Sequence, residues 1–218
     1  MLTQLRVSRL LSQLSVLLLG TVASAHVAIA QSALAMVQSP PGVIQRAPAT
    51  VQSGPAMVVL VRHAEKATTG GNDPSLSELG QARAKALVLA LNDAGVSAVI
   101  TTQYKRTGET GEAVATARNL KLEKIAITGT TAAHIEAMVA AIRKHPGEVV
   151  LVVGHSNTIP AIVTALGGPK LPDLCDANYA TMFVMHLGKD GTAAHVVRTR
   201  YGAADPDGAE TCAGSTMK

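Results

Sequence analysis

Between residues 56 and 201 the chain alternates between two kinds of apolar pattern. Short unbroken runs rich in β-branched residues, AMVVLV (56–61), VSAVITT (96–102) and EVVLVV (148–153), read as strands buried on both faces. Between them lie longer stretches in which apolar residues recur at helical spacing. SLSELGQARAKALVLALNDAG (75–95) is apolar at 79, 82, 86, 87 and 90, carries Ser75 and Glu78 at capping-box spacing, and stops near Gly95. Further helices are predicted over 106–120, over 131–145 up to Pro146-Gly147, and over 157–168, where Pro160 suits a first turn. LEKIAI (122–127) adds a short strand, and TMFVMHL (181–187) with AAHVVRTRY (193–201) predicts an antiparallel hairpin around GKDG.

Strands that alternate with helices imply an α/β fold with a mostly parallel sheet covered on both faces. Ligands of such sheets sit beyond the carboxyl ends of the strands. The first strand delivers Arg62 and His63 to that edge, the second leads to Arg106, and the third ends in Gly154-His155-Ser156.

Composition narrows the picture. The chain has 218 residues and is 47% apolar, enough for one domain with a full core. Only 2% of it is aromatic, so no stacking platform for bases can be built, and no basic stripe is present; a nucleic-acid partner is excluded on both counts. Of the net charge of +4, two charges come from Arg6 and Arg9. Those arginines open a leader, residues 1–30, with a basic start, a Leu-rich apolar run and small residues at Ala23, Ala25, Ala28 and Ala30, the form of a secretory signal peptide. The apolar run is short and interrupted, so no stable membrane insertion is expected after cleavage, and the domain is expected to be periplasmic or secreted. Residues 31–55 read as a flexible lead-in, 56–201 as the domain, and 202–218 as a tail. In an oxidising compartment the two cysteines, Cys175 and Cys212, are a disulfide candidate that would staple the tail to the 169–178 loop. Two isolated cysteines make no metal site.

Two arginines that converge on one point repel each other unless an anion lies between them, and the guanidinium fork suits phosphate. A histidine beside that anion is a nucleophile toward phosphorus. A second one, His155, donates to a phosphoryl oxygen and stabilises the charge that grows there. With two guanidiniums and an imidazole supplying the positive field, no metal or other cofactor is called for. His134 and His145, in a helix, and His186 and His195, in the hairpin, have no such setting and are read as surface or core residues.

The stretches LVRHAEK, DPSLSELGQARAKAL, TTQYKRTGET and VVGHSNT resemble the histidine phosphatase superfamily, also called phosphoglycerate-mutase-like, over roughly 56–200. The resemblance implies a three-layer α/β/α sandwich and hydrolysis of phosphomonoesters. It implies a transient phosphohistidine at His63, phosphoryl binding by Arg62 and Arg106, and His155 as the second histidine. The implied partner is a phosphorylated small molecule or phosphoprotein. The chain departs from the family at Ala64, where many members carry Gly, and at Gly111, where Thr-Ala is common. The branch with Asp directly after the second histidine is excluded by Ser156. In the mutase branch the acid that protonates the leaving group lies between Arg106 and His155, an interval that holds Glu123 and Glu136; Glu136 is the candidate donor, and Glu65 is close to His63 in sequence. Hydrolysis is preferred to mutase chemistry because that interval is compact, with little room for a lid that keeps water out.

Two other readings compete. GHSNT nearly matches a nucleophile elbow, with Ser156 as nucleophile and Asp176 and His195 in the right chain order for a triad, although Thr158 stands where the elbow needs Gly. The same arginines could also belong to a non-catalytic phosphate-binding module.

Overall fold

In a computed structural model, residues 54–188 and 193–208 are described. Their centre is a six-stranded sheet in the order β3-β2-β4-β1-β5-β6. The strands are β1 (Met57–Arg62), β2 (Val96–Thr101), β3 (Leu122–Lys124), β4 (Val149–Gly154), β5 (Thr181–Leu187) and β6 (Ala193–Arg200). β1, β2, β3 and β4 pair in parallel; β5 runs antiparallel to β1, and β6 antiparallel to β5. The mixed sheet and its helices form the expected three-layer α/β/α sandwich, phosphoglycerate-mutase-like, and the hairpin stands as its antiparallel edge.

The unbroken apolar runs are explained by two cores, one on each face. Val58 and Leu60 of β1 and Val150 and Val152 of β4 point to α3 (Thr131–Ile142) and α4 (Thr158–Ala165). Their neighbours Val59, Val61, Leu151 and Val153 point the other way, to Leu87 of α1 (Glu78–Ala90) and Val114 and Ala115 of α2 (Lys105–Ala117). Side chains alternate along a strand, so burial on both faces demands an apolar residue at every position. No helix of the described residues is long and apolar enough to cross a membrane.

The helix predicted over 75–95 begins later. Ser77, not Ser75, is the N-cap, and its hydroxyl accepts from the Gly80 N–H. Ser75 is held back because its carbonyl accepts from the Ala67 N–H and Leu76 bridges to Lys66. Gly80 is required where it is: a Cβ there would lie 2.1 Å from the Glu65 carbonyl oxygen. This contact seats the start of α1 on the segment that follows His63.

The expected staple between Cys175 and Cys212 has to be corrected to what the described residues contain. Cys175 is buried and is not a free thiol. It is the single cysteine among the described residues, which therefore hold no second thiol to close a bridge; Cys212 lies outside them. The predicted signal segment, nearly all of the lead-in (31–53), most of GKDG (189–191) and the end of the tail (209–218) lie outside them too.

Candidate active site

β1 and β4 are adjacent and parallel, in a register that sets Arg62 opposite Gly154. This pairing carries His63 and His155 off the same edge of the sheet, with ring centroids 5.4 Å apart. The His63 N–H donates to the Gly154 carbonyl at 2.9 Å, extending the strand pairing by one bond into the site. The predicted convergence of the two strand ends is realised.

His63 is 4% exposed. Its Nδ1 lies 2.8 Å from the carbonyl oxygen of Ala64, which can only accept, so Nδ1 carries the proton and Nε2 keeps its lone pair. Burial, then the nearby charges of Arg62 and Arg106, push its pKa down to about 2 against the opposing hydrogen bond to Ala64. With that pKa the ring is neutral at physiological pH.

Arg62 is 5% exposed and is gripped from one side. Its Nη1 donates to the carbonyls of Cys175, Asp176 and Asn178 at 2.8, 2.9 and 3.3 Å, and its guanidinium lies over the Tyr179 ring at 4.2 Å. Nε is buried without a hydrogen-bond partner. Burial lowers its pKa from the usual arginine value.

Arg106 arrives from the first turn of α2. It lies over the Tyr104 ring at 4.4 Å, with Asp73 at 3.9 Å. Thr110, one turn further along, fixes α2 against the site: its hydroxyl donates to the Arg106 carbonyl at 2.7 Å and accepts from the Ala64 N–H at 3.0 Å. Gly111 lets the helix lie flat on β2, since a Cβ there would come within 2.8 Å of the Thr101 methyl. The departure at Gly111 is thus a packing requirement.

His155 is 8% exposed. Its N–H donates to the Thr158 hydroxyl at 2.9 Å, and its Nε2 lies 3.1 Å from the Thr102 hydroxyl. Burial, then Arg106, His134 and Arg62, lower its pKa to about 3. The start of α4 completes the wall: Ser156, Asn157 and Thr158 line a cavity of about 330 Å³ together with the two arginines and two histidines. A larger apolar groove, about 1010 Å³ between α1 and α2, shares only Tyr104 with this cavity.

Other sequence-predicted candidates separate. Glu136 is exposed on α3 and does not line the cavity. Glu65 is committed to Arg83 at 2.7–3.0 Å. Glu123 pairs with His145 at 3.1 Å. Among the described residues lining the cavity, the one carboxylate is that of Asp176, an exposed residue whose backbone carbonyl holds Arg62. The Ser156–Asp176–His195 triad is not assembled, because His195 is exposed on β6 and paired across the hairpin with His186.

Sequence reasoning passed over His134, which is 2% exposed and lines the cavity from α3. Burial lowers its pKa; the Ala126 carbonyl lies close enough to oppose that shift without closing a well-formed hydrogen bond. Also passed over were Thr102, Thr110 and the two tyrosines that back the arginines. Their signal was in plain view, since a chain with three tyrosines places two of them here.

A model of the histidine phosphatase superfamily (branch 1) matches residues 58–126, from β1 to just past β3. No curated protein matches the chain. Among solved structures, the protein histidine phosphatase SixA complexed with tungstate is similar at 17% identity, over 66% of this chain and 95% of that one, with a TM-score of 0.51. This likeness is one of fold. A mycobacterial glucosyl-3-phosphoglycerate phosphatase matches at 17% identity over 68% of this chain and 99% of its own, TM-score 0.48. YhfR from Bacillus stearothermophilus matches at 20% over 64% and 94%, TM-score 0.49. The matched segment holds Arg62, His63 and Arg106, and the sandwich brings them to one cavity with His155; over residues 58–126 the chain is similar to the histidine phosphatase superfamily, branch 1.

Proposed function

We propose that the chain hydrolyses phosphomonoesters through a phosphohistidine formed on His63. The observation that carries this reading is the state of the His63 ring: its proton is held on Nδ1 by the Ala64 carbonyl, and the bare Nε2 belongs to a buried ring in a cavity flanked by two arginines. Nε2 attacks phosphorus in line, the bond to the ester oxygen breaks, and the leaving oxygen departs with the electron pair. Water then attacks the phosphohistidine, inorganic phosphate leaves, and Nε2 recovers its lone pair. Arg62 and Arg106 hold the non-bridging oxygens, and His155 donates to one of them.

The leaving group sets the substrate class. No buried carboxylic acid lines the cavity among the described residues, and Asp176 is exposed. A leaving oxygen or nitrogen that needs little protonation therefore departs fastest, which favours aryl phosphates, acyl phosphates and phosphohistidine over alkyl esters. Rates across esters of graded leaving-group pKa should fall steeply toward alkyl alcohols; a flat dependence sinks this assignment.

We also propose that the domain acts outside the cytoplasm, on the strength of the leader at 1–30. Fractionation of cells that express the full chain tests this. The chemical test is rapid-quench labelling with a radiolabelled aryl phosphate. Acid-labile label should appear on His63 and vanish in His63→Ala, whereas a phosphate-binding module would bind phosphate and never become labelled.

A further inference from the structure

Thr102, just past β2, and Thr107, in the first turn of α2, are wholly buried. Their hydroxyls form a chain behind His155, and its direction follows from counting hydrogens. The Thr107 hydroxyl lies 2.8 Å from the Tyr104 carbonyl and 3.3 Å from that of Thr102. A carbonyl has no hydrogen to offer, so the single hydrogen of Thr107 is committed there. The 2.8 Å contact between the two hydroxyls must then be filled by the hydrogen of Thr102. With that hydrogen spent, the 3.1 Å contact between Thr102 Oγ1 and His155 Nε2 must be donated by the ring. The Tyr104 N–H, which also points at Thr102 Oγ1 at 3.4 Å, agrees with that oxygen being an acceptor.

We propose that Thr102 and Thr107 are positioning residues that lock the neutral His155 ring in the Nε2–H tautomer, with its one N–H held by Thr102, so that Nδ1 is bare and the ring donates to a phosphoryl oxygen only once Nδ1 has taken up a proton. The chain ends on a backbone carbonyl, which cannot pass a proton on, so it is a lock and not a proton wire. His63 is set the opposite way, with its proton on Nδ1 and a bare Nε2. Two rings 5.4 Å apart thus carry their protons on opposite nitrogens, and the backbone and hydroxyl partners decide which is which. The catalytic half of this statement rests on the proposed function; the tautomer does not.

The test reads both. In the 15N-labelled full chain without substrate, long-range proton–nitrogen spectra should show the His155 proton on Nε2. Thr102→Val, close in shape, should leave a mixture of tautomers. It should lower kcat for an aryl phosphate about tenfold, as expected for loss of one buried hydrogen bond, with little change in KM, and Thr102→Ser should restore both. Thr107→Val frees the Thr102 hydrogen to point at Nε2 and should shift the ring toward Nδ1–H. A bare Nε2 in the wild-type protein overturns the proposal even if Thr102→Val fails to fold. So does a Thr102→Val protein with unchanged tautomer and rate. If the wild type does not hydrolyse the aryl phosphate at all, the proposed function has failed, and the spectra still decide the lock.

Discussion

Arg62 and Arg83 are both 5% exposed, and their surroundings differ in sign. Arg83 meets the Glu65 carboxylate through Nε and Nη2 and has Asp205 at 3.7 Å; its Nη1 goes to the carbonyls of Tyr201 and Ala203. Arg62 meets only neutral carbonyls on its Nη1 side; His63, His155 and Arg106 line the cavity beside it, and the Asp176 and Asp205 carboxylates act on it without a direct bond. A buried guanidinium bonded to a carboxylate holds structure; one gripped on one side by carbonyls, with no carboxylate bonded to it, holds a place for an anion. The two are linked. Asp205, beside Arg83, accepts from the N–H groups of Tyr179 and Ala180, and Tyr179 carries the ring on which Arg62 rests. The paired arginine therefore braces the wall that positions the unpaired one.

The sharpest way to break this comparison starts at His63, the proposed nucleophile. His63→Ala should cost at least ~10⁴-fold in kcat, measured with an aryl phosphate, since the reaction then has no covalent route. Residual turnover within tenfold of wild type would remove the basis for treating the Arg62 side as an anion site.

The two arginines come next and should fail differently. Arg83→Met leaves the partly buried Glu65 without its partner, and should cost about 3 kcal/mol of stability by chemical denaturation. Arg62→Met should lower kcat/KM by about 10²–10³-fold. It should cost only about 1–3 kcal/mol of stability, for the carbonyls that lose a donor. Inorganic phosphate should raise the melting temperature of Arg83→Met but not of Arg62→Met. Equal profiles for the two variants would collapse the distinction.

A smaller effect concerns pH. His63 and His155 have folded pKa values of about 2 and 3, below the ordinary histidine value of 6.5. Between those limits the unfolded chain binds protons that the folded site refuses, so stability rises with pH across that window. It is fully present above about pH 6.5 and is lost as pH falls, by up to about 1.4 kcal/mol per pH unit for each histidine. His63→Gln, which cannot titrate, should shallow this slope. Bound phosphate should shallow it too, because an anion between the arginines favours the charged rings. A melting temperature indifferent to pH between 4 and 6.5 would contradict the burial of the pair.

The smallest effect expected is none: Glu136→Gln should leave kcat unchanged for aryl and alkyl esters alike, as befits an exposed carboxylate outside the cavity. A selective loss on alkyl esters would restore it as proton donor.

Much of this was legible in the chain. The strands were readable because burial on both faces leaves no room for a polar residue, and the strand ends named Arg62, His63, Arg106 and His155 for the same reason: polarity returns where the sheet stops. Glu136 misled because sequence order places it in the right interval while helical phase decides its direction; His134, two residues earlier, faces inward and Glu136 faces out. Ser75 misled because a capping box is a local signal, and a strand-like bridge from Leu76 to Lys66 overrides it.

By itself, then, the sequence determined the alternation of elements, the sheet edge that collects two histidines and two arginines, and the chemistry those groups share. These follow from periodicity and residue type, which are properties of neighbours along the chain. Only the tertiary structure decided which arginine is compensated, which acid is spent on a partner, and which nitrogen of each histidine carries the proton. Those are set by groups distant in sequence: the Thr102 hydroxyl behind His155, the 175–178 carbonyls behind Arg62, and Arg83 beside Glu65. No local pattern encodes them, because each depends on how the sandwich closes.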